Sequence, residues 1–491
     1  IMKERITFTE EEIQGLFGSL AAEDENKERL EKYFFKSNTY DKIHNYLPLR
    51  ILVAHKGIGK SAIFKMSYLE DCKNNTLSLW IKPDDIAELA NKEEDFLQLI
   101  RNWKNGLEKI ILELILKKFN INSDNEIFDK VINKGINILD LLKDIFQEKI
   151  KDVNLNIVEN KVKKALLERY LVERKLIIYI DDLDRGWNGS GLAVKRISAL
   201  LNAVRDLSNQ INGLCFRISL RSDVYYLVRT ADESTDKIDG NVLWLTWTEH
   251  QLLVLLVKRV QSFLGNNLNE EELLKQPQSS LVDYLSPIME KNFMGDGKWN
   301  NKLIHYIILS LIRRRPRDLI NLCTLAARNA NENGHCKIKT EDWENVFDRY
   351  SQDRLQDTIN EHRFELPKID LLLYGMKPSK KAKKNQTPFL YTGENLLNKL
   401  NGILQEHEFY FVYNKKADAQ SLLTFLYKIN FIIARKETSG GFIDRRYFED
   451  QRYISNSIDS KFDFGYQWEV HPAFRWALYP EEKDIFKSFD Y

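Results

Sequence analysis

The chain is poor in cysteine: Cys72, Cys215, Cys323 and Cys336 are its four, scattered with no C-x-x-C pair. That spacing argues against a disulfide framework and a zinc site, and predicts free thiols in a reducing compartment. His335-Cys336 stands without enough neighbours at ligand spacing, so no metal centre is expected there. Long apolar runs are missing as well. A membrane-spanning helix needs ~20 apolar residues, and Leu303 to Ile312 reaches about half of that. The N-terminal stretch lacks the basic, apolar and small-residue order of a signal peptide, which makes the cytoplasm the expected location. A surplus of charge is the third absence, since 73 Lys and Arg against 72 Asp and Glu leave a net +1. No global field then argues for nucleic acid or a membrane as partner, although a local basic patch is compatible with that balance.

What is present begins with length. At 491 residues and 43% hydrophobic content the chain can fill two or three cores. Its organising stretch runs from Arg50 to Phe64. Ile51 to Val53 read as a short buried strand, Ala54-His55-Lys56-Gly57-Ile58-Gly59 as a tight loop followed by Lys60, and Ser61-Ala62 onward as a helix. Phosphate binding needs that order. Gly57 and Gly59 let backbone N–H groups point inward, the helix start adds its donors and positive dipole end, and Lys60 reaches the β- and γ-phosphates of ATP. Ser61 falls where its hydroxyl binds Mg²⁺. The pattern is a P-loop with one departure, because Ala54 stands where the first glycine is usual; a negative φ at Ala54 would accommodate it.

A second motif supports the first. Leu176 to Ile180 is a continuous apolar run, as expected of a strand buried on both faces of a parallel sheet, and it ends in Asp181-Asp182-Leu183-Asp184-Arg185. Carboxylates at the C-terminal end of such a strand lie where ligands bind. Asp181 is assigned to Mg²⁺ through its water shell, and Asp182 to polarising the attacking water.

The rest of the chain is arranged around these motifs. Residues 1–49 predict helices that either cover the adenine or seal the sheet edge. Thr76 to Ile81 predicts the next strand, and the span 104–160 a helical insertion. Leu214 to Leu220 predicts another buried strand, with Arg221 at its tip as a γ-phosphate sensor or as a partner of Asp223 or Asp184. Val242 to Trp247 predicts the last strand, before a helix from Glu249 to Leu264 and a charged linker over 265–280. Arg313-Arg314-Arg315-Pro316-Arg317 opens a later helix, where positive charge opposes the dipole and calls for an anion, either a nucleotide or nearby carboxylates. Lys377 to Lys384 reads as a basic linker. Helices followed by alternating strands, with a polar tip at Thr438 to Gly441, suggest a winged helix. The aromatics Phe442, Tyr447, Phe464, Tyr466 and Trp468 read as core more readily than as a ligand cage.

With these residues named, the chain resembles the bacterial signal-transducing (STAND) P-loop ATPases close to the KAP type, whose Walker B word Ile-Asp-Asp-Leu-Asp-Arg matches Ile180 to Arg185. It also resembles standalone bacterial P-loop ATPases with an Ala-Glu segment, a G-K-G-x-G-K-S-A loop and an R-P-R-D-L helix start, here Ala22-Glu23, Lys56 to Ala62 with His55 before them, and Arg315 to Leu319. The resemblance covers about 10–350; the tail is similar in pattern only. It implies an α/β P-loop NTPase parallel sheet of the additional-strand type with a helical insertion, then a helical lid carrying Arg317, then a C-terminal winged-helix-like domain. The corresponding boundaries are 1–49, 50–264, 265–360 and 361–491. The function implied is a Mg-ATP-hydrolysing switch that controls assembly with itself or with an effector protein, and the relatives implicate anti-phage defence. Asp182, Lys60, Arg221 and Arg317 are the expected catalytic residues. A nucleic-acid-associated motor or loader using the winged helix is the less favoured alternative, and no membrane role is expected.

Overall fold

The computed structural model describes residues 6–20, 24–86, 89, 95–118, 175–211, 213–231, 233–378, 387–437, 443–451 and 465–479. They form two compact units, Lys36–Leu245 on one side and Ile1–Phe35 with Thr246–Tyr491 on the other. The first N-terminal helices and the helix Glu249–Phe263 group with the later part of the chain. Ala22-Glu23, residues 119–160 of the insertion, 379–384 of the basic linker, the tip 438–441, Phe442 and Phe464 lie outside the described residues.

The Lys36–Leu245 unit is built on an all-parallel sheet of β1 (Leu49–Ala54), β2 (Leu77–Ile81), β3 (Leu176–Ile180), β4 (Leu214–Arg221) and β5 (Val242–Trp244), in the order β2-β3-β4-β1-β5. β3 is buried at every position and β4 at every position but the last. Parallel pairs need crossovers, supplied by the helices Lys60–Lys73 and Gly191–Gln210 among others. The helix Phe96–Lys118 places Leu99, Trp103, Leu107 and Ile111 at helical spacing in the same apolar core as Ile197, Leu200, Leu201 and Val204 of Gly191–Gln210. Truncating one of these leucines to alanine costs ~2–5 kcal/mol. This is the P-loop NTPase α/β fold, and β4, lying between the strand of the phosphate loop and the strand of the acidic pair, is the additional strand.

The last strand is shorter than expected. β5 pairs only with Ile51 to Val53, and Leu245 N–H to Val53 O at 3.0 Å is the final bond. Beyond it β1 turns into the phosphate loop, and residues 246 and 247 are not part of the strand.

The second unit starts with the helix Glu10–Phe17, capped by Thr9, and Lys27–Tyr33, capped by Asn26. The expected linker 265–280 holds two short helices instead, Glu270–Lys275, where Asn269 is the cap and Leu273 is buried, and Gln278–Leu281. A short hairpin, β6 (Asn292–Phe293) and β7 (Lys302–Leu303), precedes the helices Ile304–Leu311, Pro316–Glu332 and Thr340–His362. The tail holds β8 (Leu390–Tyr391), the helix Gly393–Glu406, the hairpin β9 (Tyr410–Phe411) and β10 (Lys415–Lys416), and the helix Ala419–Lys428. Then come β11 (Ile432–Glu437), β12 (Ile443–Arg446) and β13 (Gln467–Val470), forming an antiparallel sheet in the order β12-β11-β13-β8. Tyr447 and Trp468 are buried, in keeping with a core role.

Two histidines of this unit are buried and neutral. His305 has no hydrogen-bond partner at either ring nitrogen among the described residues, and burial pushes its pKa down to about 4. His471 accepts from Ala473 N–H at 3.1 Å through Nδ1 and meets Tyr447 Oη at 2.9 Å through Nε2. Burial, helped by the nearby Arg313 and Arg475, pushes its pKa down to about 3, against the pull of Glu469 and Asp318. Below the unfolded value of about 6.5 the unfolded chain takes up protons that the native chain refuses, so stability falls with pH by ~1.4 kcal/mol per unit for each histidine until the native value is reached. Glu344, whose pKa burial raises, titrates in the opposing sense and offsets part of the loss. Chemical denaturation should therefore show a lower midpoint at pH 5 than at pH 7.5, with a smaller drop in His305→Leu. A midpoint independent of pH over that range contradicts the assignment.

Candidate nucleotide-binding site

β1 ends at Ala54, whose backbone is ordinary strand, so the alanine at the usual glycine position carries no conformational penalty. The chain turns through Gly57 (φ 80°) and Gly59 (φ 107°) into the helix Lys60–Lys73. A Cβ built at Gly59 would meet nothing within 4 Å, so it is the backbone angle that requires glycine there, and the space over the loop is open. Gly59 is also the N-cap and offers no side-chain oxygen, which leaves the helix start uncapped by any side chain. Lys60 Nζ lies 3.4 Å from Ala54 O, a long contact. The Ser61 hydroxyl is half-buried and makes no hydrogen bond among the described residues.

The acidic end of β3 is held from β4. Asp181 is buried and accepts a hydrogen bond from Ser219 Oγ at one carboxylate oxygen, while its other oxygen has no partner among the described residues. Asp182 is exposed and sits in the left-handed region at φ 59°, with its N–H 3.4 Å from the same Ser219 Oγ. A non-glycine residue held there costs ~1–3 kcal/mol, and such strain gathers at functional sites. Register places Ile180 beside Ile218 and Leu52 beside Ser219, so Asp181, one residue past β3, lies level with Leu52, two residues before the end of β1, across one intervening strand, ~10 Å away at the usual strand spacing.

Arg221, the register partner of Ala54, donates to both oxygens of Asp223 at 3.0 and 2.7 Å and to Asp184 at 3.3 Å. Its guanidinium thus ties the tip of β4 to the loop after β3. His55 Nδ1 lies 2.9 Å from Ser222 Oγ, tying the phosphate loop to the same tip. Ser219 and Ser222 did not emerge from motif reading. A serine inside the apolar run Leu214 to Leu220 was the available signal, because a hydroxyl buried there needs a partner. Arg217, in the same run, is satisfied by the carbonyls of Ile43, Leu47, Phe216 and Asn45, and so clamps the turn that enters β1.

The basic cluster of the second unit finds its anions in carboxylates. Arg313 donates to Asp318 at 2.8 and 3.1 Å and to Thr358 at 2.8 Å; Arg315 pairs with Glu361 at 2.9 Å; Arg354 adds a 2.7 Å contact to Asp318. Burial opposes the charge on Asp318, but Arg313 and Arg354 win and hold its pKa far below the usual carboxylate range. Arg314 pairs with Asp450 at 2.7 Å and lies over the Tyr447 ring. Arg317, half-buried, makes no hydrogen bond or ion pair among the described residues.

A loop with left-handed glycines, an uncapped helix start that opens on a lysine, a serine hydroxyl beside it and a carboxylate with one oxygen to spare fit a nucleotide triphosphate with Mg²⁺. Residues 250–359 match the family model described as a FunZ-associated C-terminal helical domain. None of the curated proteins matches the chain in sequence. Among solved structures it is similar to the Aeropyrum pernix ORC2 protein in ADPNP–ADP complexes, at 13% identity and TM-score 0.39 over 99% of this chain and 98% of that one. It is also similar to Drosophila ORC bound to DNA, at 11% identity and TM-score 0.33 over 93% and 91%. At such values the fold assignment rests on the strand order itself.

Lys60→Ala should abolish tight ATP binding in calorimetry, because no other lysine of the loop follows the second glycine, where the ammonium meets the β- and γ-phosphates. Wild-type affinity in that variant contradicts the site.

Proposed function

We propose that the chain is a Mg-ATP-dependent switch ATPase whose nucleotide state controls assembly with a second copy or an effector protein. The observation that carries this reading is the common edge of the sheet at which Lys60-Ser61 and Asp181-Asp182 emerge, at the C-terminal ends of β1 and β3 on either side of β4. Loop residues Ala54 to Ala62 cradle the phosphates, with Lys60 on the β- and γ-groups. Ser61 and Asp181 would hold Mg²⁺, which supplies charge neutralisation when bound. Asp182 orients the water whose oxygen bonds to the γ-phosphorus as the bond to the bridging oxygen breaks, giving ADP and phosphate. Arg221 reports the γ-phosphate by exchanging its hold on Asp184.

Arg317 of a neighbouring molecule is proposed to complete the site. Its three preceding arginines are neutralised within their own unit, and it alone of the cluster makes no ion pair among the described residues. Within the chain, Arg185 is exposed and 4.0 Å from Asp84, and Arg221 is already paired, so neither is better placed as the finger. The tail, with two helices leading into a small antiparallel sheet, is read as winged-helix-like and as the partner-docking element. A role in anti-phage defence rests on the family resemblance, and a cytoplasmic setting on the four free thiols.

The nucleic-acid motor reading receives less support. Cations of the tail are engaged internally, as Arg445 with Glu469 at 3.0 Å, Arg446 with Asp444 at 2.9 Å, Lys428 with Glu365 at 2.6 Å and Lys416 with Glu408 at 2.8 Å. Phosphate binding would have to break these pairs.

Light scattering of Asp182→Asn should show a mass that rises with Mg-ATP and with protein concentration, and Arg317→Ala should lower wild-type turnover per molecule. A monomer mass under all conditions, with turnover per molecule independent of concentration, rules out self-completion.

A further inference from the structure

Ser219 is fully buried in the middle of the apolar strand β4, yet it makes two contacts, both to the acidic pair. Its hydroxyl donates to one oxygen of Asp181 and lies 3.4 Å from the N–H of Asp182, the residue held at φ 59°. One oxygen atom thus fixes the direction in which the Asp181 carboxylate points and anchors the backbone at the point where the chain leaves β3 in a left-handed turn. The donor is spent on the carboxylate, so the hydroxyl's lone pairs are what face the amide. Nothing else in β4 offers this geometry: Leu220 is apolar, and Arg221 turns to Asp223 and Asp184.

We propose that Ser219 is the positioning residue for the metal carboxylate of this site, acting through Asp181 and not on the nucleotide itself. The inference rests on the nucleotide-site reading above. Holding one oxygen of Asp181 leaves the other presented at the C-terminal end of the sheet in a single orientation. Freed of its hydroxyl partner, the carboxylate would rotate about its Cβ–Cγ bond and the metal would meet it in several orientations. The backbone N–H of Asp182 would lose its contact with that hydroxyl at the same time. Removal of groups that orient a metal ligand lowers metal affinity by about 10- to 100-fold.

The test compares wild type with Ser219→Ala, Ser219→Thr and Ser219→Val, and with Lys60→Ala as reference. Mn²⁺ affinity is read by electron paramagnetic resonance in the presence of a non-hydrolysable ATP analogue, and analogue affinity without metal by calorimetry. Ser219→Ala should weaken Mn²⁺ binding by about tenfold or more, with metal-free analogue affinity unchanged. Threonine keeps the hydroxyl and valine has the same shape without it, so Ser219→Thr should restore Mn²⁺ affinity and Ser219→Val should not. This pair also decides the matter if alanine at 219 prevents folding, since both carry the same added methyl volume. Equal Mn²⁺ affinity in the threonine and valine variants, or an unchanged affinity in Ser219→Ala, overturns the proposal. If Lys60→Ala binds the metal-free analogue as tightly as wild type, the nucleotide-site reading fails, and this inference with it; a Lys60→Ala that loses the analogue, with Ser219 variants unaffected, sinks this inference alone.

Discussion

The parallel pairing of β4 between β1 and β3 is the constraint on which the candidate site depends. A parallel sheet aligns the C-terminal ends of its strands, and inserting one strand sets the spacing of its neighbours at twice the interstrand distance. The phosphate loop and the acidic pair are thereby placed opposite one another before any side chain is considered. The polar residues of β4 and the turn after it then act along this strand in sequence. Arg217 clamps the entry to β1, Ser219 holds Asp181 and Asp182, Arg221 bridges to Asp184, and Ser222 meets His55. A strand otherwise made of apolar residues thus carries the polar scaffold of the site.

Much of that site was legible in the residues. Gly57 and Gly59 announce a loop that needs positive φ, and the unbroken apolar run before Asp181 announces a strand buried on both faces with its acids at the open end. Strand order was not legible, since periodicity reports which residues are buried and is silent on which strand pairs with which. The length of β5 was misjudged for a related reason: Leu245 to Trp247 suit a strand, but pairing with β1 ends at the Leu245 N–H bond to Val53 O. The short helix Glu270–Lys275 was hidden by its charge, and the cap at Asn269 and the buried Leu273 account for it.

Charge placement was the least legible feature. A run of four arginines around a proline reads as a surface looking for an anion. In the structure Arg313 and Arg315 are buried against Asp318 and Glu361, and the latter acid comes from a helix that sequence distance alone does not connect to the cluster. Removing one partner from such a pair costs ~3–5 kcal/mol because the other charge is left buried. The network therefore serves to hold the helices Pro316–Glu332 and Thr340–His362 in one arrangement. Arg317, one residue from the buried Asp318, is half-buried and makes no ion pair among the described residues.

The central claim is that this sheet edge hydrolyses ATP, and release of inorganic phosphate from Mg-ATP tests it most directly when bound nucleotide is quantified in the same samples. The account predicts turnover by the wild type and a fall of about 10²-fold or more in Asp182→Asn, with nucleotide occupancy retained. A wild type that binds ATP and releases no phosphate, or an Asp182→Asn that turns over at the wild-type rate, would contradict it.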